Sequence, residues 1–269
     1  YQALPLFTTK VLRALAYPYS YLSFVRTNQV DNMSNPDKIG KLVLLRHGES
    51  VYNARNQFTG VADCELTEKG KKQAQWCSTW LEDMTFSQVF SSAQKRAHQT
   101  RDITLAALKL TKLPSHESPH LNERDYGKLT GMNKQEAAHT YGSAQVQNWR
   151  RDFHACPPSG ETLAQTSQRA YSYYLQVIRP HLENGDNTLV VAHGNSIRGL
   201  LYAIIGLSEE AITQVEVGWC EPWVISFQAH KPSAIDIYLH QDKGKQSRIP
   251  KETLTLPIQM HTSPTKETV

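Results

Sequence analysis

Two apolar runs, Leu42-Val43-Leu44-Leu45 and Leu189-Val190-Val191-Ala192, lie in opposite halves of the chain, and each ends in His-Gly within two residues. This shared ending constrains the fold more than any other feature. Runs this short and this apolar predict strands buried on both faces, as in a parallel sheet. Open α/β sheets place their ligand sites at the carboxyl ends of such strands. The residues delivered there are Arg46-His47-Gly48-Glu49-Ser50 from the first run and His193-Gly194-Asn195 from the second. Two imidazoles and a guanidinium on one rim suit a phosphoryl group. One imidazole attacks phosphorus, while the other and the arginine stabilise charge on the equatorial oxygens.

The intervening pattern supports an α/β; three-layer sandwich with a mostly parallel central sheet flanked by helices. Strand 41–45 is followed by a helix with Thr67 as N-cap and an apolar stripe of Ala74, Cys77, Trp80 and Leu81. A short strand at Val89-Phe90 precedes a helix over 94–108, and residues 111–160 read as irregular. A helix over 161–182, strand 188–192, a helix over 197–205 and strands 223–227 and 235–239 complete the alternation. The expected boundaries are an N-terminal extension over 1–38, a catalytic domain over 39–240 and a mobile tail over 241–269.

Composition narrows the partners. The net charge of +4 is small and its Lys and Arg are scattered, so no nucleic-acid footprint is expected. No apolar stretch is long enough to span a membrane. The four cysteines are widely spaced and form no metal-ligand pattern, so no metal is expected. Residues 1–30 contain Lys10, Arg13 and Arg26 but no Asp or Glu. That pattern is shared with organellar transit peptides. Met33 just before the first strand favours the other reading, in which the segment has no folded role. A cytoplasmic location is expected, or an organellar one if residues 1–32 are a transit peptide.

The motifs go further. Arg46-His47-Gly48-Glu49-Ser50, with Asn53 and Phe58-Thr59-Gly60, strongly resembles the histidine phosphatase superfamily. The segments Leu121–Gly127, Leu129–Lys134, Trp149-Arg150-Arg151 before Pro157-Pro158, and His193–Arg198 are similar to its 2,3-bisphosphoglycerate-dependent phosphoglycerate mutase family. The resemblance, over residues 40–206, implies a phosphoglycerate mutase-like fold and interconversion of 3- and 2-phosphoglycerate in glycolysis and gluconeogenesis. It implies His47 as the residue phosphorylated, Glu123 as general acid and base, and Arg46, Arg96 and His193 as holders of the transferring group. Tyr126, Lys134, Arg150 and Arg151 would bind the substrate's carboxylate and second phosphate. Ser50, Asn53, Thr59, Gly60, Gly194 and Asn195 would complete the substrate site. The family also implies 2,3-bisphosphoglycerate as primer, no metal, and a homodimer or homotetramer.

Charge balance independently supports a second cationic group. A phosphoglycerate carries a carboxylate besides its phosphate, and one His-Arg-His cluster neutralises only one anion; Lys134 and Arg150-Arg151 supply the rest. Lys95 and Arg124 are expected on solvated faces. One departure stands out in Gly218-Trp219-Cys220-Glu221-Pro222, where the family pattern has Thr-Gly before a small apolar residue and Pro. Cys220 in place of that Gly predicts a strained turn, and Trp219 adds bulk near the rim. Three readings follow: a mutase, a phosphomonoester or bisphosphoglycerate phosphatase on the same site, and a catalytically silent binding protein.

Overall fold

A computed structural model describes residues 39–240, 246–250 and 256–262. The chain runs β1 (Leu42–Arg46), α1 (Val51–Ala54), α2 (Glu68–Trp76), β2 (Gln88–Ser92), α3 (Lys95–Ala107) and β3 (Ser115–Ser118). It continues through α4 (Lys134–Tyr141), α5 (Ser143–Arg151), α6 (Leu163–Tyr173), α7 (Arg179–Glu183) and β4 (Thr188–Ala192). Helices α8 (Gly194–Leu201) and α9 (Glu209–Gln214) lead to β5 (Trp223–Gln228), β6 (Lys231–Leu239) and β7 (Ile258–Thr262). The strands form one sheet in the order β3-β2-β4-β1-β5-β6-β7, parallel except where β5 pairs with its neighbours β1 and β6.

The two apolar runs are neighbours at the centre of this sheet. Leu45 pairs with Val191 and Arg46 with Ala192, and the His47 amide continues the ladder by donating to the Ala192 carbonyl at 3.0 Å. Every side chain of β1 from Leu42 to Leu45 is fully buried, as the unbroken apolar pattern requires. Leu42, Leu44, Val190 and Ala192 face Leu163, Ala170 and Ile197 on one side. Val43, Leu45, Leu189 and Val191 face Ala74, Cys77, Ala97 and Leu105 on the other. Each buried Leu, Val or Ile among these contributes roughly 1.5–3 kcal/mol by leaving water, which fixes β1 and β4 at the core and their ends at one rim.

A third apolar cluster joins Phe58, Tyr126, Leu129, Ala137, Val146 and Trp149. It roots α4 and α5, the helices that bear Lys134, Arg150 and Arg151, beside the sheet. This is the stretch expected to be irregular. Its helices are short and polar, and Gly142 at a φ of 83° separates them.

The helix expected over 161–182 is interrupted. Thr162 caps α6 through a hydrogen bond from the Gln165 amide, but Tyr174–Ile178 is π-helical before α7 resumes. Pro180, near the start of α7, lacks the amide that α-helical bonding needs, and the wider turn absorbs the mismatch.

The tail expectation needs correcting for its described residues. Strand β7 pairs in parallel with β6. Ser247 and Ile249 are buried, and residue 248 forms an antiparallel bridge with residue 216. The fold therefore extends beyond residue 240. The polar sequence concealed this because its apolar contacts come from scattered residues, Ile249, Leu256 and Ile258, beside the backbone and Ser247 hydrogen bonds. The expected extension over 1–38, and with it the transit-peptide reading, lies outside the described residues. No helix among the described residues is long and apolar enough to cross a membrane.

Candidate active site

The register of β1 and β4 brings His47 and His193 together with ring centroids 4.9 Å apart. His47 Nδ1 lies 2.6 Å from the Gly48 carbonyl. A carbonyl only accepts, so Nδ1 carries the proton and the lone pair is on Nε2. Arg96 Nε donates to that Nε2 at 3.3 Å, in agreement. Burial, then the charges of Arg96 and Arg46, push the His47 pKa well below its usual value, while the Gly48 bond opposes them. At neutral pH the ring is uncharged, and Nε2 is the nitrogen that bears the lone pair a nucleophile needs. Gly48 itself sits where a Cβ would lie 2.3 Å from the Gly70 carbonyl oxygen, so this crossing of β1 and α2 excludes a side chain.

His193 Nε2 is 2.6 Å from Ser92 Oγ, and its Nδ1 is buried without a protein partner. Its pKa is also well below the usual value, through burial, then Arg96, His47 and Arg46. Arg46 donates from Nη1 to the Val217 carbonyl at 2.8 Å, and its Nε is buried without a partner. Arg96 is fully buried and donates to the Ala62 carbonyl at 2.8 Å and the Gly60 carbonyl at 3.0 Å. A buried Nδ1 and a buried guanidinium N–H left unpaired beside two neutral imidazoles fit a phosphoryl group, which accepts such hydrogen bonds.

Glu123 joins this cluster from the loop after β3. Its Oε1 accepts from the amides of Asn195 at 3.1 Å and Arg124 at 2.8 Å, leaving Oε2 for proton transfer. Its own amide is fixed by Gln94 Oε1, which also accepts from Arg96 Nη2. Asn195 Nδ2 donates to the Tyr126 hydroxyl at 3.2 Å, and its Oδ1 accepts from Arg198 Nη2 at 2.5 Å.

An open cleft lies against Arg46 and Glu123. Asn53, Thr59, Gly60, Tyr126, Lys134, Arg150, Arg151, Gly194, Asn195 and Arg198 line it, together with Glu216. His47, Arg96 and His193 are buried behind this lining rather than part of it. Lys134 is desolvated and faces Arg150 and Arg46, and in that order these lower its pKa to about 8. Arg151 pairs with the Glu216 carboxylate and donates to the Thr213 carbonyl. The cleft wall thus carries Arg46 and four further cations, Lys134, Arg150, Arg151 and Arg198, with the two buried histidines close to Arg46.

Residues 42–238 match the family model described as the histidine phosphatase superfamily, branch 1. The chain belongs to the histidine phosphatase superfamily. Within it, the chain is 42% identical over 188 residues to 2,3-bisphosphoglycerate-dependent phosphoglycerate mutase 2 of Gloeobacter violaceus, covering 70% of this chain and 86% of that protein. It is 43% identical over 190 residues to the 2,3-bisphosphoglycerate-dependent phosphoglycerate mutase of Rhodopseudomonas palustris, covering 70% and 92%. Among solved structures, the alpha-ribazole phosphatase of Shigella flexneri superposes with a TM-score of 0.63 at 27% identity, covering 71% and 93%. Bacillus stearothermophilus YhfR superposes at 0.65 and 22%, covering 72% and 94%, and shares the fold.

As a member of this superfamily the chain gathers nearly all the residues expected from its sequence, with two corrections. Ser50 does not line the cleft: it is fully buried as the N-cap of α1, where its hydroxyl accepts from the Asn53 amide and so orients Asn53. Arg124 is not solvated. It is fully buried, donating to the carbonyls of Glu161 and Ala155, and so fastens the Glu123 loop. Lys95 is half-exposed, as expected. The sequence reading missed Arg198, Glu216 and Gln94. Arg198 falls one helical turn after Gly194, a spacing that could have flagged it; Glu216 and Gln94 carry no such signal.

The departure at Trp219-Cys220 resolves differently for each residue. Cys220 has a φ of 52°, the left-handed region, so the strain expected there is present, at a cost of roughly 1–2 kcal/mol. The same conformation aims the Cys220 amide at the Arg46 carbonyl, 3.0 Å away. Trp219 stacks its ring 5.5 Å from the Arg46 guanidinium carbon. Among the described residues no group of three or more His, Cys, Asp or Glu is placed to hold a metal.

Proposed function

We propose that this protein interconverts 3-phosphoglycerate and 2-phosphoglycerate, with 2,3-bisphosphoglycerate as the phosphoryl source that primes His47. The observation that carries the reading is the second cationic group. Lys134, Arg150, Arg151 and Arg198 share one cleft with Arg46 and Glu123, so one substrate can be held by both ends. The relatives' names favour the same activity.

In the forward direction a hydroxyl oxygen of the bound phosphoglycerate attacks phosphorus on His47 Nε2. The P–N bond breaks, Nε2 regains its lone pair, and the hydroxyl proton passes to Glu123. The doubly phosphorylated product then turns in the cleft and offers its other phosphate to Nε2. That P–O bond breaks as Glu123 returns the proton to the leaving oxygen. Throughout, Arg46, Arg96 and His193 face the transferring oxygens, and no group leaves without a bonding partner.

Hydrolysis is the second reading, favoured by the likeness to the Shigella flexneri phosphatase and by the openness of the cleft to water. One assay separates them. With 3-phosphoglycerate and a trace of 2,3-bisphosphoglycerate, a mutase forms 2-phosphoglycerate far faster than inorganic phosphate. Phosphate release equal to or faster than isomerisation would sink the proposal.

A further inference from the structure

Glu216 is a carboxylate in the wall of a cleft otherwise built for anions. Its side chain is largely buried and pairs with Arg151. Its backbone is fixed as well: the Glu216 amide donates to the Arg248 carbonyl, and the Arg248 amide donates back, both at 2.8 Å. These two bonds and the Arg151 pair hold the carboxylate in the cleft wall. Its charge also acts on Arg46 and Arg198. A binding residue for phosphates would be cationic or a donor; a fixed anion does the opposite.

Resting on the reading of the cleft as a phosphoglycerate site, we infer that Glu216 is a charge selector, disfavouring ligands in proportion to the negative charge they bring to the Arg151 end. It admits a monophosphate with a carboxylate and loosens the hold on a bisphosphate. A selector of this kind lets the doubly phosphorylated species turn in the cleft instead of being trapped by four cations. Each ligand anion entering near Arg151 competes with an anion already there, and the penalty grows with ligand charge.

The test is calorimetric binding to the full chain in a His47→Ala background, which blocks transfer, with Glu216 intact, Glu216→Gln or Glu216→Ala. The probes are inorganic phosphate, 3-phosphoglycerate, 2,3-bisphosphoglycerate and tripolyphosphate. Gln keeps an oxygen for Arg151 and removes the charge. Glu216→Gln should tighten 2,3-bisphosphoglycerate and tripolyphosphate about tenfold and inorganic phosphate less than about twofold, the order expected of one nearby, partly screened charge. Equal tightening of all probes, or none, would overturn the selector. So would weakening by Ala with no change by Gln, since that pattern belongs to a residue that only positions Arg151. If neither glycerate ester binds any of the proteins while tripolyphosphate shows the selective tightening, the substrate assignment fails and the selector stands.

Discussion

Replacing Arg96 by methionine tests the electrostatic design of the site more severely than removing the nucleophile. Arg96 donates to His47 Nε2 and to the carbonyls of Gly60 and Ala62, and its charge lowers the pKa of both histidines. Losing one preorganised donor to transition-state oxygens costs about 10²–10³ in rate, or roughly 2.7–4 kcal/mol. The Ala62 carbonyl loses its donor as well, at about 1–3 kcal/mol where it stays dry, while the Gly60 carbonyl keeps the one from Gln94 Nε2, so the variant should also melt earlier. The pH dependence separates the two effects. With Arg96 gone the His47 pKa rises toward its usual value, and the acid limb of phosphorylation moves to higher pH. Rapid-quench measurement of phosphoenzyme formation between pH 5 and 8, below the variant's Tm, reads both quantities. Arg96→Lys, which keeps the charge, should leave the limb nearly in place. A rate loss under tenfold, or an acid limb unmoved in the methionine variant, would refute the assignment of Arg96 to the transferring group.

Other outcomes follow from the same structure. Lys134, with its pKa at about 8, is charged below that pH and neutral above it, so kcat/KM for phosphoglycerate should fall as pH rises through 8. Lys134→Arg should abolish that fall; a limb that persists belongs to another group. His47 and His193 have folded pKa values below the unfolded value near 6.5, so their stabilising contribution is full above that pH and is lost as pH drops. Each should cost about 1.4 kcal/mol per pH unit, and His193→Gln should flatten the denaturant-derived slope by that share. Ser247 accepts from the Gly218 amide and the Trp223 indole, both at 2.9 Å. Ser247→Ala should cost about 1–3 kcal/mol in urea unfolding. A change under 0.5 kcal/mol would mean that the tail is not anchored there.

Legibility in the sequence followed the physics that wrote each element. Strands β1 and β4 are buried on both faces, so their composition alone marks them, and the His-Gly endings place His47 and His193 side by side. Strand β3 sits at the sheet edge with three exposed residues and offers no apolar pattern to read. Lys134, Arg150 and Arg151 were found by motif and charge balance, but the cluster of Phe58, Tyr126 and Trp149 that supports them is dispersed in sequence. Glu216 escaped because it works through position: a lone Glu in a loop reads as solvated surface until the fold sets it beside Arg151. Arg124 misled for the matching reason, since its burial depends on two carbonyls more than thirty residues away. The resemblance stopped near residue 206, and in the polar stretch after residue 240 the pairing of β7 with β6 is a backbone ladder that side-chain patterns do not reveal.

The central claim is that His47 carries the phosphoryl group on Nε2, because Gly48 holds the proton on Nδ1. Phosphorus NMR of the denatured phosphoenzyme, formed with 2,3-bisphosphoglycerate, tests it directly. The expected result is one Nε2-linked phosphohistidine, absent from His47→Ala and lost when 3-phosphoglycerate is added before denaturation. A phosphoryl group on Nδ1, or on His193, would contradict it.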